Sequence, residues 1–209
     1  MIDTIVFDMG QVLLRWSPGL LTSQMGLTKE DEALLQTELF QSVEWICLDR
    51  GTITGEQAAR QVCLRLPERL HEAVRSVITG WWKRPLAPME GMAELVRTLR
   101  QEGYRIYLLS NASKELREYF HRIPGSECFD GLLVSAEENL LKPQWEIYHT
   151  LYRRFHLDPQ RCFFVDDAPA NVEAALCTGM KGTIFRGDVH RLRREMREAG
   201  IRCPMPEDV

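Results

Sequence analysis

Ile5-Val-Phe-Asp8-Met-Gly10-Gln-Val-Leu-Leu14 is an apolar run interrupted by one carboxylate and one glycine, close to the start of the chain. It reads as a buried parallel strand with Asp8 at its C-terminal tip, and in open α/β sheets side chains at such tips face the ligand crevice. Taken alone, the stretch fits a strand ending in a turn aspartate equally well. The segments downstream decide between the two.

From Ser17 to about Pro85 the chain has helical periodicity and no convincing buried strand. Leu20, Leu21, Met25 and Leu27 suggest a first helix. Thr28-Lys-Glu-Asp31 opens a second, with acids in the first turn where the macrodipole favours them. Gly51-Thr-Ile-Thr54 reads as a turn and N-cap before a helix over 56–66, and a further helix runs from about 68 to 82.

From Pro88 onward helices and strands alternate. Helices are predicted over 89–103, 114–122, 143–155, 171–177 and 188–199, and strands over 104–109, 131–134, 162–165 and 182–185. Strands separated by helices of this length imply βαβ crossovers and a parallel sheet covered on both faces. The predicted fold is α/β: a Rossmann-like, doubly wound parallel sheet core of residues 1–15 and 86–209. A small helical cap, residues 16–85, is inserted after the first strand.

Composition bounds the function. The chain has 209 residues, of which 44% are hydrophobic, enough for one sizeable core with a smaller insert. A net charge of -4 gives no bias toward nucleic acid or an anionic membrane. Arg191, Arg193, Arg194 and Arg197 form a local basic cluster, read as a solvated helix face. The six cysteines include no CxxC pair and no His at zinc-ligand spacing, so they are read as free thiols in a reducing compartment. The amino terminus lacks a basic leader, and no apolar run reaches the roughly 18 residues of a membrane span. A cytoplasmic protein without a nucleic-acid or membrane partner is the expectation, and the sequence does not indicate its oligomeric state.

Chemistry concentrates at the strand tips. Ile106-Tyr-Leu-Leu109 ends on Ser110-Asn111, and Ala112-Ser113-Lys114 opens a helix whose free amide donors would suit a phosphate. Ser110 or Ser113 could equally cap that helix. Lys142 precedes Pro143, read as the first residue of a helix, where a cation opposes the dipole and an anionic ligand would offset the cost. Phe163-Phe-Val165 ends on Asp166 and Asp167. Adjacent carboxylates repel and raise each other's pKa unless a cation lies between them, and Mg²⁺, a hard ion that prefers oxygen ligands, meets that need.

Asp8, Ser110-Asn111, Lys142 and Asp166-Asp167, in that order, resemble the four motifs of the haloacid dehalogenase superfamily, most of whose members are Mg²⁺-dependent phosphatases. Phe7-Asp8-Met-Gly10-Gln-Val, Asp49-Arg50-Gly51-Thr-Ile-Thr54, Leu109-Ser110-Asn111 and Lys142-Pro143 look most like the bacterial α-D-glucose-1-phosphate phosphatase group. The resemblance implies that Asp8 is the nucleophile and forms an aspartyl-phosphate. It implies that Asp8, the Gly10 carbonyl, Asp166 and Asp167 hold Mg²⁺. Ser110 and Asn111 would bind the phosphoryl group, and Lys142 would neutralise its charge. The substrate would be a small phosphorylated metabolite, with Trp16, Trp45, Arg50, Trp81 and Trp82 as candidate lining for its leaving group.

One departure stands out. The family pattern places a second aspartate two residues after the nucleophile, to protonate the leaving oxygen, and Gly10 stands there. Departure would then rest on the leaving group's own acidity, favouring aldose 1-phosphates and aryl or acyl phosphates over 6-phosphates. Two alternatives stay open: a binding or regulatory module with weak turnover, and a metal-independent 2-haloacid dehalogenase, against which the Asp166-Asp167 pair argues.

Overall fold

The computed structural model describes residues 1–23 and 25–204. Five parallel strands run in the order β3-β2-β1-β4-β5: β1 (Thr4–Phe7), β2 (Arg105–Ser110), β3 (Gly131–Val134), β4 (Cys162–Asp166) and β5 (Lys181–Ile184). The first strand in the chain is the central one. Ile5 lies between Ile106 of β2 and Phe163 of β4.

Side-chain alternation divides each strand between two cores. Ile5, Phe7, Ile106, Leu108, Phe163 and Val165 face one side, where they meet helices α6 (Met92–Gln101) and α11 (Val189–Glu198) through Leu95, Leu99, Leu192 and Met196. Val6, Tyr107, Leu109 and Phe164 face the other side, against Ile147 and Leu151 of α9 (Trp145–Phe155) and Val172 and Ala175 of α10 (Pro169–Cys177). This is a doubly wound α/β sheet of the Rossmann type. Because both faces of β1 are covered, Ile5, Val6 and Phe7 follow one another as apolar residues with no polar alternate.

Between Leu14 and Pro88 the chain is helical: α1 (Pro18–Thr22), α2 (Lys29–Leu35), a π-helical turn over Gln36–Phe40, α3 (Val43–Arg50), α4 (Gly55–Cys63) and α5 (His71–Gly80). Thr54 and Gln57 form a reciprocal capping box at the start of α4. Leu35, Leu39, Val62, Leu70, Val74 and Val77 bury one another in a third apolar cluster. The two connections to the sheet run side by side, tied by Arg15 N–H to the Ala87 carbonyl at 2.7 Å and Met89 N–H to the Leu13 carbonyl at 2.9 Å. The Arg122 guanidinium donates to the carbonyls of Trp82 at 2.6 Å and Arg84 at 2.8 Å.

Several sequence expectations need correction. The helix predicted over 114–122 shortens to α7 (Leu116–Tyr119) and a 3₁₀ turn, and Glu115 occupies its N-cap, so neither Ser110 nor Ser113 caps it. A short helix, α8 (Ser135–Glu138), follows β3 where none was predicted. Pro143 is not in helical position: the chain turns at a cis Lys142–Pro143 bond, Gln144 reaches back to the Leu141 N–H, and α9 begins at Trp145. Arg193 is buried rather than solvated, donating to Glu94 at 3.1 Å and to the Pro204 carbonyl.

Candidate active site

The C-terminal tips of β1, β2 and β4 and the loop carrying Lys142 converge. Asp8 follows the last residue of β1, and its N–H still pairs with the Val165 carbonyl at 2.9 Å, which sets it beside the end of β4. Lys142 Nζ lies 2.7 Å from Asp8 Oδ1 and 2.6 Å from Asp166 Oδ2, and all three side chains are buried. An ammonium in such a place is tolerable only because two carboxylates face it. Burial opposes its charge, but Asp8 and Asp166 outweigh that and hold its pKa above the ordinary lysine value.

The surrounding amides hold this triad in register. Asn111 accepts the Lys142 N–H at 2.8 Å and donates to the Lys142 carbonyl at 2.9 Å, so its side chain positions the lysine loop. Asn171 donates to both oxygens of Asp166, at 3.0 and 3.1 Å, and Ala168 N–H adds a third bond at 2.8 Å. Ser110 Oγ, by contrast, has no protein partner among the described residues and borders the cavity.

Carboxylate oxygens of Asp8, Asp166 and Asp167 lie within 4.8 Å of one another, the first two buried and Asp167 exposed. Three carboxylates against one ammonium leave an excess of negative charge. Burial, together with Asp166 and against Lys142, pushes the Asp8 carboxyl up to about 6, and the same influences raise Asp167. A divalent cation with a preference for oxygen would relieve that excess, and the donor set of carboxylates, with a Gly10 carbonyl that accepts no hydrogen bond among the described residues, fits Mg²⁺.

Above the triad opens a cavity of about 840 Å³, counting the space at its mouth. Its floor is Asp8, Gly10, Ser110, Asn111, Lys142 and Asn171. The opposite wall comes from the helical insert and is mostly apolar: Trp16, Trp45, Leu48, Ile78 and Trp81, joined by Tyr119 of the core. Trp16 packs its ring 5.7 Å from Trp45 and 6.1 Å from Trp81. Two of the expected lining residues are not there. Trp82 is buried in the core beneath the insert, and Arg50, at the last position of α3, is turned about 100° along the helix from Asp49, which does line the cavity.

Asp49, Asn171, Glu115 and Tyr119 were not singled out as site residues from the sequence. A signal existed for Asn171, which stands in the first turn of the helix that follows Asp166. Asp49 lay inside the quoted Asp49-Arg50-Gly51 stretch, but its facing depends on how α3 packs on the core.

A Rossmann-type sheet with a lysine-bridged aspartate pair at the strand tips and a helical roof defines a class of hydrolytic enzymes. The chain matches the haloacid dehalogenase-like hydrolase family over residues 2–179, and it belongs to that family. A sesquiterpene phosphatase of Aspergillus oryzae is 30% identical over 183 residues, which span 85% of this chain and 86% of that one. A flavin mononucleotide hydrolase of Arabidopsis thaliana is 24% identical over 163 residues; these are 78% of this chain but only 64% of that protein. Among solved structures, a haloacid dehalogenase family enzyme of Bacteroides thetaiotaomicron, in complex with magnesium and inorganic phosphate, superposes with a TM-score of 0.68 at 18% identity, covering 92% of this chain and 99% of that one. A predicted family member from Porphyromonas gingivalis gives 0.69 at 21% identity, over 94% and 98%. Among the described residues, no helix is long and apolar enough to cross a membrane.

Proposed function

We propose that this hydrolase is a Mg²⁺-dependent phosphatase of small phosphorylated metabolites, with residues 1–15 and 86–209 as catalytic core and 16–85 as a cap over the leaving group. The observation that carries the reading is the third carboxylate: Asp167 beside the Asp8 and Asp166 pair completes a group that could hold a cation, which a metal-independent dehalogenase does not need. Mg²⁺ held by Asp8, the Gly10 carbonyl, Asp166 and Asp167 would neutralise the charge that builds as carboxylate and phosphate approach. Asp8, the carboxylate at the base of the cavity, attacks phosphorus and becomes an aspartyl-phosphate, which water hydrolyses. Lys142 holds the Asp8 carboxylate in place and draws off negative charge, and the free Ser110 hydroxyl donates to a phosphoryl oxygen. Asn111 acts through the Lys142 backbone rather than on the phosphate. The free thiols fit a cytoplasmic setting.

For the leaving group, the sequence resemblance favours an aldose 1-phosphate, whose ring faces can stack on tryptophan. The aromatic wall supports a second reading, an alcohol with a larger apolar or planar body, as in a prenyl or aryl phosphate. The names carried by the two curated relatives point the same way. Phosphate release should be measured over aldose 1-phosphates, hexose 6-phosphates, flavin mononucleotide and prenyl phosphates, with Mg²⁺ and with chelator. Mg²⁺-dependent release is the expected result. Halide release from a 2-haloacid in chelator, or ligand binding without any turnover, would overturn it.

A further inference from the structure

The resident carboxylate at position 10 is missing, yet a different carboxylate reaches the same cavity from the opposite wall. Asp49 borders the space above Asp8, Ser110 and Lys142. Its side chain makes no hydrogen bond or ion pair among the described residues, which sets it apart from Asp8 and Asp166, both tied to Lys142. A partly buried carboxylate without a partner is costly unless it keeps its proton or meets one on a ligand.

Its position is set by the core, not left to a loose cap. Ser135 Oγ, at the start of α8, donates to the Asp49 carbonyl at 2.5 Å and accepts the Ala112 N–H at 2.9 Å, so one hydroxyl joins the Asp49 backbone to the loop after Ser110. Two residues on, Gly51 adopts φ 79°, and a Cβ there would stand 2.0 Å from the Ala136 carbonyl oxygen. Only glycine permits that approach. The end of α3 is thus pressed against the core immediately beside the acid.

We propose that Asp49 is a catalytic residue that replaces the missing acid at position 10. This rests on the phosphatase reading above. In the first step Asp8 forms a bond to phosphorus, the bond from phosphorus to the leaving oxygen breaks, and the Asp49 carboxylic acid gives its proton to that oxygen, releasing the alcohol. In the second step the Asp49 carboxylate takes a proton from the water that attacks phosphorus. The bond to Asp8 breaks, inorganic phosphate departs, and both carboxyl groups return to their starting state.

Burial, then the charge of Asp8, pushes the Asp49 carboxyl up to about 7, which leaves a usable fraction protonated near neutrality. The other titratable groups around this space are Asp8, Glu115, Tyr119 and Lys142. Glu137 and Glu138 of α8 are engaged by Arg117 and Arg154. The Tyr119 hydroxyl is donated to Met9 Sδ, and burial holds its pKa well above the ordinary phenol value. Glu115 also faces a second, shallower hollow with Lys114 and Thr52.

The test compares kcat on phosphomonoesters of graded leaving-group pKa, from p-nitrophenyl to simple alkyl, in the parent, Asp49→Asn, Glu115→Gln and the double variant Asp49→Asn with Gly10→Asp. A side chain fits at position 10, where a Cβ would meet only Asp8 Oδ2 at 3.9 Å. Asp49→Asn should lose on the order of 10² to 10⁴-fold on alkyl esters and less than about tenfold on p-nitrophenyl phosphate. The double variant should recover the shallow dependence, and Glu115→Gln should keep it. A uniform loss across leaving groups, no loss, or a steepened dependence in Glu115→Gln instead overturns the assignment. If the parent releases no phosphate from any ester, the underlying phosphatase reading fails, and that result is distinct from the others.

Discussion

Floor and roof of the cavity are built on opposite terms. On the floor, charged side chains are partnered: Lys142 bridges Asp8 and Asp166, Asn171 and Ala168 hold Asp166, and Asn111 holds the lysine loop. On the roof, tryptophans pack on one another, and Asp49, the carboxylate that the helical insert brings to the cavity, has no side-chain partner among the described residues. The difference separates two tasks. A saturated polar network is rigid and suits a chemical step that does not change from substrate to substrate. A mostly apolar wall with a single carboxylate would read the leaving group, and it can change without disturbing the floor.

Breaking the floor should have the largest effect. Asp8→Asn removes the proposed nucleophile, and turnover should fall by on the order of 10⁴-fold or more while the melting transition is kept. Phosphate release within tenfold of the parent would remove Asp8 from that role.

Lifting the roof comes next. Gly51→Ala places a methyl group against the Ala136 carbonyl, so the end of α3 must move away from α8. A shift of this kind typically costs roughly 10 to 100-fold in kcat/KM. A parent-like value would mean that the contact between Gly51 and Ala136 does not set the geometry.

A smaller effect distinguishes the two walls by proton linkage. Asp8 and Asp49 are pushed up from 3.8 to about 6 and about 7 in the fold. The native state therefore binds more protons than the unfolded chain between those values. Their contribution is fully present below pH 4 and is lost as pH rises through 6 and 7, so the metal-free protein should melt at lower temperature at pH 8 than at pH 5. Asp49→Asn should flatten that decline, and an unaltered slope would show that Asp49 is ionised throughout. Smallest of all, Asp167→Asn removes one repelling charge from a partly solvated site. It should raise the metal-free melting point by about 1 to 2 °C and abolish the response to Mg²⁺. Identical melting of variant and parent without metal would count against that repulsion.

Much of the floor was legible in the sequence because it is local. Asp8, Ser110, Asp166 and Asp167 each end an apolar strand, and parallel strands bring their ends together whatever the helices do. Lys142 is legible as a cation out of place, but not because it precedes a helix: the helix starts at Trp145, and the lysine is placed by Asn111 rather than by a helix terminus. The roof was hidden for the opposite reason. Whether Asp49 or Arg50 enters the cavity depends on the rotation of α3 about its axis, and that is settled by Ser135 and Ala136, more than eighty residues away in a short helix that left no periodic trace.

The placement of β1 also bears on how the chain reaches its fold. Thr4–Phe7 precedes the other four strands in the sequence, yet Ile5 pairs with Ile106 on one side and Phe163 on the other, so the centre of the sheet closes by contacts between distant parts of the sequence. Helices α4 and α5, adjacent in the chain, pack on one another and can gather while β1 is still unpaired, whereas α3 also needs α8. High contact order slows folding and leaves an apolar strand with open edges in the interim. Ile5, Val6 and Phe7 are therefore an apolar segment open to aggregation during refolding, and the refolding yield should fall steeply with concentration.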